Sequence, residues 1–383
     1  MEAVDVAGGQ VRTAGIVELD ASAGGLVLHR MPAWARAQHN DPSLPLLEAM
    51  PAGGRFEFRT NATVVELDVD LTLVQLGDAE AWPAVFELVV DGELVDRAAT
   101  RAGTTIVIDP VTQAIEFVPG APTAVRFELP GEDGSDGRLV EIWLPHAAAT
   151  RLLDLRADGS VEPPPESRDG TVRRWVHYGS SISHCIEADG PTGTWPAVAA
   201  RLAGVDLQSL AFAGQCHLDP FAARMIGEAP ADLISAKLGI NVINGDTMRE
   251  RTFVPALHGF LDTIRERHPD VPLLLITPIT CPVAEDHPGP TTTVDGTCAV
   301  VERPPELSLG ALTLERIRHL EREVVAARRA NDPNLHLLEG TELFGPDDVA
   351  DLPDGLHPNA AGYRRMGERF FARAFQGAGP FSA

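Results

Sequence analysis

Long apolar runs are missing from this 383-residue sequence. No stretch approaches the roughly 18 consecutive apolar residues of a membrane-spanning helix. The opening residues, Met1-Glu2-Ala3-Val4-Asp5, also lack the basic start and apolar stretch of a secretory signal. A cytoplasmic protein without membrane partners is therefore expected. Cysteine is scarce: Cys185, Cys216, Cys281 and Cys298 are too far apart for the close pairs of a zinc site or redox motif. Neither a metal nor another cofactor is implied, and free thiols are expected over a Cys281–Cys298 bridge. Asn61-Ala62-Thr63 matches a glycosylation sequon, which has meaning only on a secretory route. Basic residues are in deficit, 31 Lys and Arg against 55 Asp and Glu, for a formal net charge of −24. Such a surface repels phosphate backbones, which argues against nucleic acid and anionic membranes as partners.

What remains is the mix of a globular protein, 44% hydrophobic and 22% charged, and enough chain for two domains. The first ~155 residues predict strands and no helix. Val65, Leu67, Val69, Leu71 and Leu73 alternate with Glu66, Asp68, Asp70 and Thr72, and Phe56 and Phe58 alternate with Glu57 and Arg59. Asp91-Gly92, between apolar runs at 86–90 and 93–96, has the chemistry of a two-residue hairpin turn. Further runs at 105–108, 115–118, 125–129 and 139–144 have the spacing of an all-β sandwich. Trp34 and Trp82 are expected in its core. The expected domains are a β-sandwich over 1–158, a linker over 159–170 stiffened by Pro163-Pro164-Pro165, and a second domain over 171–383.

In that second domain the pattern changes to strands at 172–178, 205–212, 232–238, 273–277 and 335–338. Helices are expected between them at 195–202, around Phe253–Ile264 and Ile317–Ala327, and at the end over Ala360–Phe375. Five strands alternating with helices predict a three-layer α/β/α sandwich on a parallel, flavodoxin-like sheet. One long segment, 278–307, has no periodicity and is rich in proline and threonine. It is either a disordered insertion or a lid; leaving the carboxyl end of a strand, on the ligand-binding side, favours the lid. A lid would govern selectivity and leave hydrolysis of a small ester intact when shortened.

Four blocks follow the strands in order: Gly179-Ser180-Ser181-Ile182-Ser183, Gly214 with Gln215, Gly239-Ile240-Asn241, and Asp354-Gly355-Leu356-His357 before the last helix. Over residues 172–375 this resembles the SGNH hydrolases, the GDSL-type esterases and lipases, named for their serine, glycine, asparagine and histidine. The departures are Ser180 and Val242, where the family usually and often, respectively, has aspartate. The resemblance implies a nucleophile at Ser181, a base at His357 oriented by Asp354, and an oxyanion hole from Ser181, Gly214 and Asn241. The chemistry agrees, since ester cleavage needs a nucleophile, a base and donors for the developing oxyanion. Gln215 and His217 are candidate substrate-binding residues; Cys216, His184, Asn244 and Arg249 are expected to have structural roles. Some family members carry an N-terminal sandwich similar to carbohydrate-binding modules, among them sugar-ester deacetylases and an acyltransferase that uses coenzyme A thioesters. The expected function is serine-dependent ester hydrolysis through an acyl-enzyme. The rivals are acyl transfer to an alcohol and non-catalytic carbohydrate binding. The expected partner is a small-molecule ester or acyl donor, a glycoside or an acyl-CoA among them; no oligomeric state is implied.

Overall fold

The computed structural model describes residues 1–21, 24–109, 112, 114–130, 137–164 and 172–382. The chain divides into two compact units, Met1–Val172 with Asp189–Thr192, and Arg173–Ala188 with Gly193–Ala383.

The first unit is built from an eight-stranded and a six-stranded sheet. The alternation noted in the sequence decides which side of the strand Val64–Leu76 faces inward. Val65, Leu67, Val69, Leu71 and Leu73 are buried with Phe56, Phe58, Phe86 and Phe127 in one core. The acids on the opposite face meet arginines of the adjacent strand Ala148–Ala157, which the sequence reading does not mark. Arg156 bonds Glu66 at 2.6 Å and Asp68 at 2.7 Å, and Arg151 pairs with Asp70. The hairpin turn forms at Asp91 and Gly92, with φ of 50° and 88°.

Three expectations change here. Two short helices, Ala33–Arg36 and Leu44–Glu48, interrupt the strands; each is about one turn long, too short for a periodic signal. Trp34 and Trp82 are only half-buried, because aliphatic and phenylalanine side chains fill the core. Within the expected linker 159–170, Val161–Glu162 is a strand paired with Arg59–Thr60, while positions 165–170 lie outside the described residues.

The second unit is a five-stranded parallel sheet between helices. Its strands are Arg174–Gly179, Asp206–Ala211, Leu233–Lys237, Leu273–Ile276 and Leu335–Leu338, in the spatial order second, first, third, fourth, fifth. The chain thus turns back beside its first strand, and in such sheets the carboxyl edge between the first and third strands is the crevice for ligands. Glu250–Arg265 buries Phe253, Leu257, Phe260, Leu261 and Ile264 at helical spacing, and packs with Leu314–Arg328 and with Pro220–Glu228. The sequence reading missed that last helix. Trp195–Ala203 packs with Ala360–Phe370. Beneath this pair Trp175 stacks on Phe370, 5.1 Å between centroids, and touches Trp195 and Phe375. The closing element is α-helical only to Phe370 and continues as a π-turn over Phe371–Phe375. The segment 278–307 is not structureless: it contains a hairpin, Thr291–Val294 with Thr297–Val300, flanked by short 3-10 turns. Asp295 and Gly296, both at positive φ, make its turn.

Candidate active site

The first strand ends at Gly179, where a β-carbon would lie 2.4 Å from Ser183 Oγ, so only glycine fits. Ser180 then takes extended backbone and Ser181–His184 form one helical turn. Under this turn lies His177, fully buried, with Nδ1 2.8 Å from Ser235 Oγ and Nε2 2.9 Å from Ser183 Oγ. Trp175 Nε1 donates to the same Ser235 oxygen at 2.8 Å. Burial, assisted by the charge of Lys237, pushes His177 down to about 3. It is a neutral strut for the serine turn.

Ser181 Oγ lies 2.9 Å from His357 Nε2, and His357 Nδ1 lies 2.6 Å from Asp354 Oδ2. The other Asp354 oxygen accepts the backbone N–H of Leu356 at 2.9 Å and of His357 at 2.7 Å, which closes the turn carrying both side chains. Burial opposes ionisation of Asp354, but the His357 side chain and these backbone donors together outweigh it and bring the carboxyl down to about 2. Burial likewise opposes protonation of His357. The Asp354 hydrogen bond and the charges of Glu187 and Asp354 prevail over burial and the opposing charge of Lys237, so the imidazole is raised above 6.5.

On the other side of Ser181, Gly214 takes φ +72°, and a side chain there would be strained even though the space beside it is open. Among the described residues neither the Ser181 nor the Gly214 backbone N–H has a hydrogen-bond acceptor. Asn241 Nδ2 donates to the Gln215 carbonyl at 2.7 Å, and its Oδ1 accepts from Asn244 at 3.3 Å, so the amide is oriented from both ends. Among the described residues the second N–H on Asn241 Nδ2 has no acceptor. Two histidines brace the glycine loop: His184 Nδ1 accepts from Ala213 N–H at 3.3 Å, and His217 lies 3.1 Å from the Gly214 carbonyl and 3.0 Å from Thr247 Oγ1. His217 therefore has both ring nitrogens engaged within the protein. Gln215 is buried, and its Nε2 has no partner among the described residues. Ser180 Oγ is also buried and has no partner among the described residues. Cys216 is buried with Sγ 3.4 Å from the Lys237 carbonyl, and Arg249 is tied to Asp246 at 2.9 Å and to the Leu307 carbonyl at 3.0 Å.

The sequence reading missed several neighbours. Cys298 N–H donates to the Asp354 carbonyl at 2.7 Å, and Cys281 Sγ to the Gly355 carbonyl at 3.3 Å. The segment read as a lid, dispensable for small-ester hydrolysis, thus holds the backbone of the Asp354 turn. Glu187 stands 3.8 Å from His357 Nδ1 and is held by Tyr363, whose hydroxyl donates to it at 2.8 Å. Lys237, the single lysine of the chain, is buried at the end of the third strand, and burial lowers it to about 8. No short motif marks these residues; only the fold brings them close. All four cysteines carry free thiols, and among the described residues no cluster is placed to hold a metal ion.

This fold and site define a class: a parallel α/β sandwich with serine, histidine and aspartate hydrogen-bonded in series at the carboxyl edge of the sheet. Residues 177–365 match the model of the GDSL-like lipase/acylhydrolase family, and the α/β unit belongs to that family. Among solved structures, a salicylyl-acyltransferase from a tetracycline biosynthetic pathway is 28% identical with a TM-score of 0.78, over 96% of this chain and 95% of its own. A family two carbohydrate esterase from Clostridium thermocellum has 14% identity and a TM-score of 0.57, over 94% and 96% of the two chains. An acetyl xylan esterase from the rumen bacterium Butyrivibrio proteoclasticus has 11% identity and a TM-score of 0.53, over 97% and 96%. The likeness to these two esterases is one of fold. No curated protein matches the sequence significantly. No helix among the described residues is long and apolar enough to cross a membrane.

Proposed function

We propose that the protein is a serine-dependent ester hydrolase that works through an acyl-enzyme on Ser181. The observation that carries this reading is the hydrogen-bonded series from Ser181 Oγ through His357 to Asp354. With the ring proton on Nδ1, His357 donates to Asp354 and accepts the Ser181 hydroxyl proton on Nε2. Ser181 Oγ then attacks the acyl carbon, and the carbonyl becomes an oxyanion. The Ser181 and Gly214 N–H groups and the spare N–H of Asn241 are the proposed donors to it. The imidazolium returns its proton to the leaving alcohol. Water, deprotonated by the same nitrogen, releases the acid and restores Ser181.

Gln215 adds a binding contact to this scheme. A buried donor ordinarily finds an acceptor, and its Nε2, one residue past Gly214, has none within the described protein. A substrate carbonyl or hydroxyl would supply one.

A second reading, acyl transfer to an alcohol, is favoured by the likeness to the salicylyl-acyltransferase, which spans both units of the chain. The two readings share every step up to the acyl-enzyme and differ in what attacks it. A fluorophosphonate probe followed by peptide mass spectrometry tests the shared part: label on Ser181, absent from Ser181→Ala, is the expected result. Label on Ser180 or Ser183, or none, would remove the proposal. Release of the acyl group from an aryl ester or thioester, in water with and without alcohol acceptors, separates hydrolysis from transfer.

A further inference from the structure

We infer that Glu187 is a second acid partner of His357, a positioning residue that shares with Asp354 the task of holding the imidazolium. The inference rests on His357 serving as the base at Ser181, and it deepens that reading. Three observations carry it. Glu187 Oε1 lies 3.8 Å from His357 Nδ1, the nitrogen that faces Asp354 Oδ2 at 2.6 Å. Its other oxygen is fixed by the hydroxyl of Tyr363, a fully buried residue on the helix that follows His357. The carboxylate side chain is itself three-quarters buried, with 25% exposure, so its charge is only partly screened.

An opposite charge within about 4–6 Å favours the protonated ring, and the Glu187 charge acts on His357 in that direction. The charged groups that face this imidazole are Asp354 from its own turn, Glu187 from the segment after the serine helix, and Lys237 from the third strand, which opposes them. Tyr363 and Cys185 face Glu187 in turn. Asp354 makes the short bond and sets the tautomer. Glu187 supplies a second negative charge 3.8 Å from the same nitrogen.

The test is an NMR titration of the His357 ring in the wild type, Glu187→Gln and Tyr363→Phe, paired with turnover of p-nitrophenyl acetate by Asp354→Asn and by the Asp354→Asn/Glu187→Gln double variant. Glu187→Gln should lower the His357 midpoint by roughly half a pH unit or more, and Tyr363→Phe by a smaller amount in the same direction. Losing the sole acid of such a triad costs about 10⁴ in kcat. Asp354→Asn should therefore lose less than that, and the double variant about tenfold more than the single. A His357 midpoint unmoved in both Glu187→Gln and Tyr363→Phe, or a double variant no worse than Asp354→Asn, overturns the inference. Should Glu187→Gln fail to fold, Tyr363→Phe carries the titration alone. The titration reads the ring directly, so a protein that turns over no ester at all would sink the proposed function and leave this measurement intact.

Discussion

The Cys298 backbone N–H and the Asp354 carbonyl oxygen are hydrogen-bonded at 2.7 Å. One strand of a surface hairpin is thereby joined to the turn that carries the proposed acid and base. Replacing residues 291–300 by a Gly-Ser linker should therefore lower kcat/KM on acetyl esters as well as on bulky ones, by about tenfold or more, or ~1.4 kcal/mol in the transition state. Equal rates on p-nitrophenyl acetate before and after the exchange would show that the hairpin does not support the turn.

The pH profile follows from the direction of the His357 shift. The ring must be neutral to accept the Ser181 proton, and its protonation is favoured above the ordinary value of 6.5. The expected kcat/KM is level in mild alkali and half-lost at a pH above 6.5, then falls about tenfold per unit. Asp354, brought down to about 2, stays ionised throughout and adds no second step. Hydrolysis rates between pH 5 and 9 check this; a half-point well below 6.5 would contradict it.

Asn241→Ala should lower kcat by about 10²–10³, the usual effect of removing one oxyanion donor. Asn244→Ala should act in the same direction and more weakly, because it frees the orientation of the Asn241 amide without removing the donor. Steady-state kinetics on one ester separate the two effects. A change confined to KM would make Asn241 a binding residue.

His177 predicts an acid-labile fold. Buried between Ser235 and Ser183, it is neutral in the folded state down to about 3, whereas the unfolded chain protonates it near 6.5. Because the folded value is the lower one, this contribution is complete above the unfolded value. It is lost as pH falls from about 6.5 toward 3, at up to ~1.4 kcal/mol per unit. Urea melts of the wild type and His177→Gln at several pH values test it: the difference in their slopes across that window should be close to one proton.

Strands of both units were legible where large apolar side chains mark the buried positions. Val64–Leu76 announces itself by alternation and the parallel strands by unbroken apolar runs, because sidedness is written directly into residue type. The Ala148–Ala157 strand was not legible, since three alanines and two arginines dilute its pattern and its acidic partners on the facing strand lie 81–90 residues away. The same division holds at the site. Ser181, Gly214, Asn241, Asp354 and His357 stand in short blocks with recognisable spacing, so they could be picked out. Glu187, Tyr363, His177 and Cys298 act through distance in space, and no local pattern encodes a carboxylate 3.8 Å from a ring carried by another segment.

Ser181 and His357 meet across 176 residues of chain, and between them lie four of the five parallel strands. At a synthesis rate of about 5–20 residues per second, roughly 10–35 s pass between the appearance of the serine and that of the histidine. Throughout that interval the proposed nucleophile lacks its proposed base, and Ser181 is an ordinary hydroxyl beside a half-made sheet. On the proposed mechanism, the order of the chain withholds acyl-enzyme chemistry until the segment that carries His357 has been made.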